Sequence, residues 1–202
     1  MFDRFVNAFD RALSVISYAG AVLAAAATLA ILALVAVSPP AVDPGQAEKG
    51  GSPANAVLLV LNKSDDTLAF VDPASMETVR TVAVGHGPHE VQVSPDGRVA
   101  YVANYGTGPN PGNTISVVDI GRQEVLSTMD LGEYRRPHGL AISRDGRRLY
   151  VTVEANQAVI EVDTASERIA RVLATEQRVS HICVLTGTGK NLYVSNNGSQ
   201  TV

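Results

Sequence analysis

One segment occurs three times in this chain, and that repetition limits the possible folds more than any other feature. GPHEVQVSPDGRVAYVAN begins at Gly87, RPHGLAISRDGRRLYVTV at Arg136 and VSHICVLTGTGKNLYVSN at Val179. In register, His89, His138 and His181 are each followed twelve residues later by Tyr101, Tyr150 and Tyr193, and the copies lie 49 and 43 residues apart. The loop over residues 105–113 accounts for most of the longer interval. An earlier stretch, VLLVLNKSDDTLAFVD, is a fourth copy without its beginning: Leu59 stands where the tyrosines stand, and Asp72 where Asp119 and Asp163 close a strand. A period of this length marks a supersecondary unit that buries its faces by stacking on its neighbours.

Within the unit, short runs rich in Val, Ile, Leu and Tyr alternate with Gly, Asp, Asn and Pro, a pattern of strands and turns. The best-preserved copy predicts strands over 90–93, 99–103, 114–119 and 124–129. Its first turn is Ser94-Pro95-Asp96-Gly97, where proline presets the bend and glycine accepts positive φ. The third copy reads Thr186-Gly187-Thr188-Gly189; it keeps the glycine but loses the Asp, so the turn is expected without its side-chain support. Four antiparallel strands per unit of about 43 residues describe a propeller blade. Residues 56–202 then hold about 3.4 blades, fewer than the roughly 4 to 8 of closed rings. The fold class expected is all-β, a partial β-propeller of about 3.4 four-stranded antiparallel blades in an open arc, preceded by one N-terminal transmembrane or signal-anchor helix. An incomplete ring implies a truncated propeller, or self-association that completes it.

SPDGRVAYVAN followed by NTISVVDI, and SRDGRRLYVTV followed by AVIEVDT, resemble the YVTN-type β-propeller repeats of many exported bacterial and archaeal proteins. The resemblance covers residues 56–202. It implies a typically seven-bladed protein acting outside the cytoplasm, as a surface, periplasmic or cofactor-associated component.

Ahead of the repeats, residues 15–37 form a run of 23 without a charge. As a helix it would reach roughly 35 Å, against a hydrocarbon core of about 30 Å. The apolar core of a cleaved signal is shorter, about 7 to 15 residues, so an uncleaved anchor is expected; Gly45-Gln46-Ala47 is the alternative cleavage sequence. Arg4 and Arg11 precede the span and Lys49 follows it, which puts residues 1–14 in the cytoplasm. Residues 38–55, with Pro39, Pro40, Pro44 and Pro53, read as a Pro/Gly-rich linker. The expected location is a bacterial or archaeal cell membrane, crossed once, with the propeller facing the periplasm or the outside.

Chemistry is less legible. With 16 basic against 20 acidic residues and a net charge of -4, the chain has no electropositive excess for nucleic acid. Its single cysteine, Cys183, excludes an internal disulfide and a cysteine-based metal cage. No Gly-x-Ser-x-Gly, His-Glu-x-x-His or Cys-x-x-Cys motif occurs, and Gly187-Thr188-Gly189-Lys190 falls in a strand turn. No catalytic residue and no cofactor is assigned. The candidate ligand-binding residues are His89, His138 and His181, which at the start of each innermost strand should face one mouth of the central channel. No metal is assigned to them, because blades that spread along an arc should keep three imidazoles from converging on bonds of about 2.0 to 2.1 Å. Strand alternation should send Glu90, Gly139 and Ile182 away from the axis. Glu90, Glu133 and Glu154 are expected on the solvated surface, as is His86. The function expected is a membrane-tethered, extracytoplasmic binding or interaction module within a longer seven-bladed protein, for a protein or small-molecule partner. The alternative is a fragment of a propeller enzyme or electron-transfer accessory of lactonase, lyase or dehydrogenase type.

Overall fold

The computed structural model describes residues 56–202. The expected cytoplasmic segment 1–14, span 15–37 and linker 38–55 lie outside the described residues. Among those described, no helix is long and apolar enough to cross a membrane.

Four antiparallel sheets follow one another along the chain, each a meander of neighbouring strands. The first has three strands, β1 (Leu58–Asn62), β2 (Thr67–Val71) and β3 (Thr78–Ala83). The second has four, β4 (Pro88–Val93), β5 (Val99–Gly106), β6 (Pro111–Asp119) and β7 (Glu124–Asp130). The third has four as well, β8 (Pro137–Ile142), β9 (Arg148–Val153), β10 (Ala158–Asp163) and β11 (Arg168–Ala174). The fourth has two, β12 (Ser180–Leu185) and β13 (Leu192–Asn196), with a lone bridge from Asn196 to Thr201 where a third strand would start. The fold is all-β and consistent with part of a β-propeller. Among the described residues the first copy shows no counterpart of β4, and the strands run one to three residues beyond the expected limits. Among the described residues a 3-10 turn, Glu154–Asn156, departs from the expectation of strands alone.

Period-two alternation explains how the sheets pack. Along β5, Ala100 and Val102 face the first sheet and form a core with Leu68, Phe70 and Val118. Tyr101 and Ala103 face the third sheet and join Ile115, Val117 and Met129 against Leu149, Val151, Val153, Ala158, Ile160 and Val162. Each fully buried aliphatic side chain here is worth about 1.5–3 kcal/mol. Tyr101, Tyr150 and Tyr193 occupy one rung, opposite Gln92, Ala141 and Val184. Their surroundings differ: Tyr101 is 6% exposed, covered by the third sheet, whereas Tyr193 on the fourth is 55% exposed.

The turns repeat down to their hydrogen bonds. Gly97, Gly146 and Gly189 all have φ near +70°. Asp96 accepts from the Ser94 hydroxyl (2.6 Å) and the Arg98 amide (3.1 Å), and Asp145 does the same with Ser143 and Arg147. In the fourth sheet Thr188 only exchanges a 3.2 Å bond with Thr186, the weakened support expected there. A further repeat sits three residues past three of the four rung positions, the third sheet having Val153 there: Asn62, Asn104 and Asn196 each donate from their side-chain amide to a threonine one strand over, Thr67, Thr114 or Thr201.

Candidate functional site

The backbone approaches each histidine through the same two departures from regular strand. Two residues before it the chain is left-handed, at Gly87 (φ +60°), Arg136 (φ +58°) and Val179 (φ +56°). The carbonyl of that residue accepts a bond from the amide at the end of the neighbouring second strand: Tyr105 (3.1 Å), Glu154 (3.2 Å) and Asn197 (2.9 Å), respectively. At the histidine itself the ladder slips by one residue, between Pro88 and Glu90, between Pro137 and Leu140, and between Ser180 and Cys183. Bulges of this kind re-aim a side chain. Here they release His89, His138 and His181 from the alternation of their strands.

Close approach does the rest. A Cβ on Gly139 would stand 2.6 Å from the carbonyl oxygen of His181 and 2.7 Å from Cα of Ile182, so only glycine lets β8 and β12 come this near. The Gly139 amide donates to Thr152 Oγ1 (2.7 Å), and the Thr152 hydroxyl donates to the His181 carbonyl (2.6 Å), tying the third sheet to the fourth at this point.

The three rings are therefore in contact. His89 and His138 have centroids 4.3 Å apart, and His138 and His181 3.9 Å. Neighbouring rings stand nearer than an arc of blades suggests, but the three imidazoles form a row with His138 in the middle, and among the described residues no group of donor atoms joins all three. Tyr105 closes one side of the stack, 5.3 Å from His89 and edge-on to His138 at 5.5 Å. Its hydroxyl donates to Glu154 Oε2 (2.6 Å) and accepts from Arg136 Nη1 (3.0 Å). Glu154 Oε1 lies 2.5 Å from His181 Nδ1. A carboxylate has no proton to give, so Nδ1–H donates. Lys63 Nζ and the Arg136 guanidinium lie over the Tyr105 ring at 5.0 and 5.2 Å.

Burial dominates the electrostatics. His138 is 3% exposed, and burial, with His89, His181 and Lys63 nearby, pushes its pKa down to about 2, so the ring is neutral. Its Nδ1 has no hydrogen-bond partner among the described residues, a deficit that typically costs about 1–3 kcal/mol. Burial and the bonded Glu154 carboxylate push the Tyr105 hydroxyl up to about 12, against the opposing effect of Arg136, so it stays a donor. Cys183 is likewise pushed up to about 12 by burial, which makes it an unreactive thiol.

One expectation about the carboxylates changes. The Glu154 side chain is 8% exposed and belongs to the cluster instead of the solvated surface. Glu90 pairs with Ala103 in the ladder and its side chain is 39% exposed, as expected of a solvated position, while its carboxylate lies 3.8 Å from His89 Nδ1. His86 stays apart and is half exposed, bonded to Asp66 (3.0 Å) and Thr107 (3.4 Å). Tyr105 and Glu154 were discernible as the same register position, four residues past Tyr101 and Tyr150, with Lys63 and Asn197 as its counterparts in the outer copies. Their side chains differ, so identity-based alignment passes over them.

Comparison with known proteins agrees with the architecture. The family described as YNCE-like beta-propeller matches residues 15–111. A seven-bladed beta-propeller protein of Mycobacterium tuberculosis is 28% identical over 127 residues, covering 60% of this chain and 30% of that protein. Among solved structures, hydrazine synthase of Kuenenia stuttgartiensis superposes with a TM-score of 0.61 at 28% identity, over 68% of this chain and 38% of that one. The dihydro-heme d1 dehydrogenase NirN, at 18% identity, TM-score 0.56 and coverage of 69% and 30%, shares the fold. The chain spans less than two fifths of the length of each of these proteins. These likenesses support a propeller repeat family.

Proposed function

We propose that the chain is a membrane-tethered, extracytoplasmic propeller segment of the YVTN type that acts as a binding module, holding its ligand at the axial end of the innermost strands through His89, His138 and His181. The observation that carries the reading is the convergence of these register-matched rings with Tyr105 and Glu154. Such polar, aromatic-walled groupings fix small ligands. The uncharged run 15–37 supplies the tether, and the basic residues before it the orientation. The partner is a small molecule or a protein, and a second copy of the chain is a candidate for completing the ring.

The site is tested on the intact chain with 15N-labelled imidazoles, titrated in metal-free buffer with acetate, phosphate, citrate and imidazole, then with divalent cations. Saturable shifts of the His138 and His181 ring signals, with binding lost in the triple His89→Ala, His138→Ala, His181→Ala variant, support it. Rings that stay silent through every titration overturn it. The tether is tested by expression in a bacterium: the protein should fractionate with membranes, with the propeller cut by protease added to spheroplasts. Protection from that protease overturns the orientation, and release of a soluble form beginning after Ala47 overturns the anchor.

A second reading, a piece of a propeller enzyme or electron-transfer accessory, draws support from the likeness to hydrazine synthase and from the paired His181 and Glu154. On that reading Glu154→Gln abolishes turnover by the full-length protein while ligand binding persists.

A further inference from the structure

His138 presents a feature that ring stacking leaves unexplained. It is 3% exposed, and its Nδ1 has no hydrogen-bond partner among the described residues, although buried polar atoms nearly always have one. One donor atom each from His138, Glu154 and His181 lie within 4.8 Å of one another. We propose that His138, Glu154 and His181 bind one divalent first-row transition-metal ion of the zinc type. The proposal rests on the reading of the axial cluster as the ligand site, and names the ligand.

The donor set suits such an ion. Two imidazoles and a carboxylate are a recurrent set for zinc and its neighbours, and three protein ligands leave coordination positions open to an exogenous group. His138 is buried and its Nδ1 has no hydrogen-bond partner among the described residues, so a lone pair is open to an ion. The ion takes the place of the proton now lying between His181 Nδ1 and Glu154 Oε1, and that proton leaves to solvent. Glu154 has about four lone-pair sites, so it can ligate while keeping its bond from the Tyr105 hydroxyl (2.6 Å), itself held by Arg136 (3.0 Å). That chain is the outer support a metal-ligating carboxylate normally has. Lys63 and Arg136, both at the Tyr105 ring, add positive charge. Affinity must therefore come from imidazole ligation and not from charge attraction, which disfavours Ca2+ and Mg2+. A second grouping, His89, Glu90 and His138, shares His138; its Glu90 side chain is 39% exposed, against 8% for Glu154.

The test uses the intact chain, dialysed against chelator and titrated with Zn2+ by calorimetry and with Co2+ by visible absorption. One equivalent per chain is expected, with no response to Ca2+. His181→Asn and Glu154→Gln should each weaken binding at least tenfold while circular dichroism stays native. Glu90→Gln and His86→Ala should bind as the parent does. The metal assignment is overturned if neither ion binds stoichiometrically, if His181→Asn and Glu154→Gln bind as the parent does, or if Glu90→Gln loses the ion and Glu154→Gln keeps it. Absence of metal binding while the ring signals still respond to the anions overturns the metal alone. Silence in both overturns the metal and the axial site together.

Discussion

Gly139 has no room for a methyl group: its nearest neighbours are backbone atoms of His181, Ile182 and Cys183, 2.6–2.8 Å from where a Cβ would sit. Gly139→Ala must push β12 away from β8. We expect it to destabilise the chain by about 1–3 kcal/mol in urea unfolding, the range for overpacking a fitted interior, and to weaken the contact of His138 with His181. Val179 makes the opposite case. It holds φ +56°, a region costly for a β-branched residue, where Gly87 stands in the second sheet. Val179→Gly relieves a left-handed cost of about 1–2 kcal/mol but adds unfolded-state entropy of roughly 0.5–1 kcal/mol. A net gain of up to about 1.5 kcal/mol is expected by the same measurement, and a loss would show that the Val179 side chain matters more than its backbone.

At the level of strands and turns, the copies differ where one has lost a hydrogen bond or replaced an apolar contact. Thr188 stands where Asp96 and Asp145 accept a backbone amide. Thr188→Asp should restore the bond from the Lys190 amide, gain about 0.5–1.5 kcal/mol and slow hydrogen exchange at that amide. In the third sheet Glu161 occupies the rung where the second sheet has Val117, gripped by Arg148 and Arg171. Burial pushes its pKa up, but the bonds from Arg171 and Arg148 outweigh this and hold it below the usual 4.5. Its ionised form therefore stabilises the fold. That contribution is present above about pH 4.5 and disappears as pH falls through the lower folded value. Glu161→Gln should flatten the acid limb of the stability profile, most visibly at low salt because both arginines are more than half exposed. Repeated residues made the four sheets, their turns and the three histidines legible in the sequence. Tyr105 and Glu154 share a register position of the repeat, but their meeting with the rings and the contact between rings were not legible, because these depend on backbone slips and left-handed residues that apolar alternation does not encode.

Over the whole described region, each sheet shares its core with the sheets beside it: the first with the second, and the second with the third. Stability in such an array is close to a sum of nearest-neighbour interfaces. Native-state hydrogen exchange should be slowest in β5, β9 and β10, most of whose residues are buried, and fastest in β3 and β13. A uniform profile would mean that the sheets unfold as one unit instead. The bulges have a consequence at this scale. Because His89 and His181 stand at ladder slips, outside the regular pairing of their strands, with side chains 26% and 31% exposed, the side chain carried there has little say in how the sheets assemble. Folding and recognition are thus written in separate residues. Mutation can rewrite the axial position from one descendant to the next while leaving the scaffold that displays it unchanged, so a single architecture can turn over its ligands without first having to relearn how to fold.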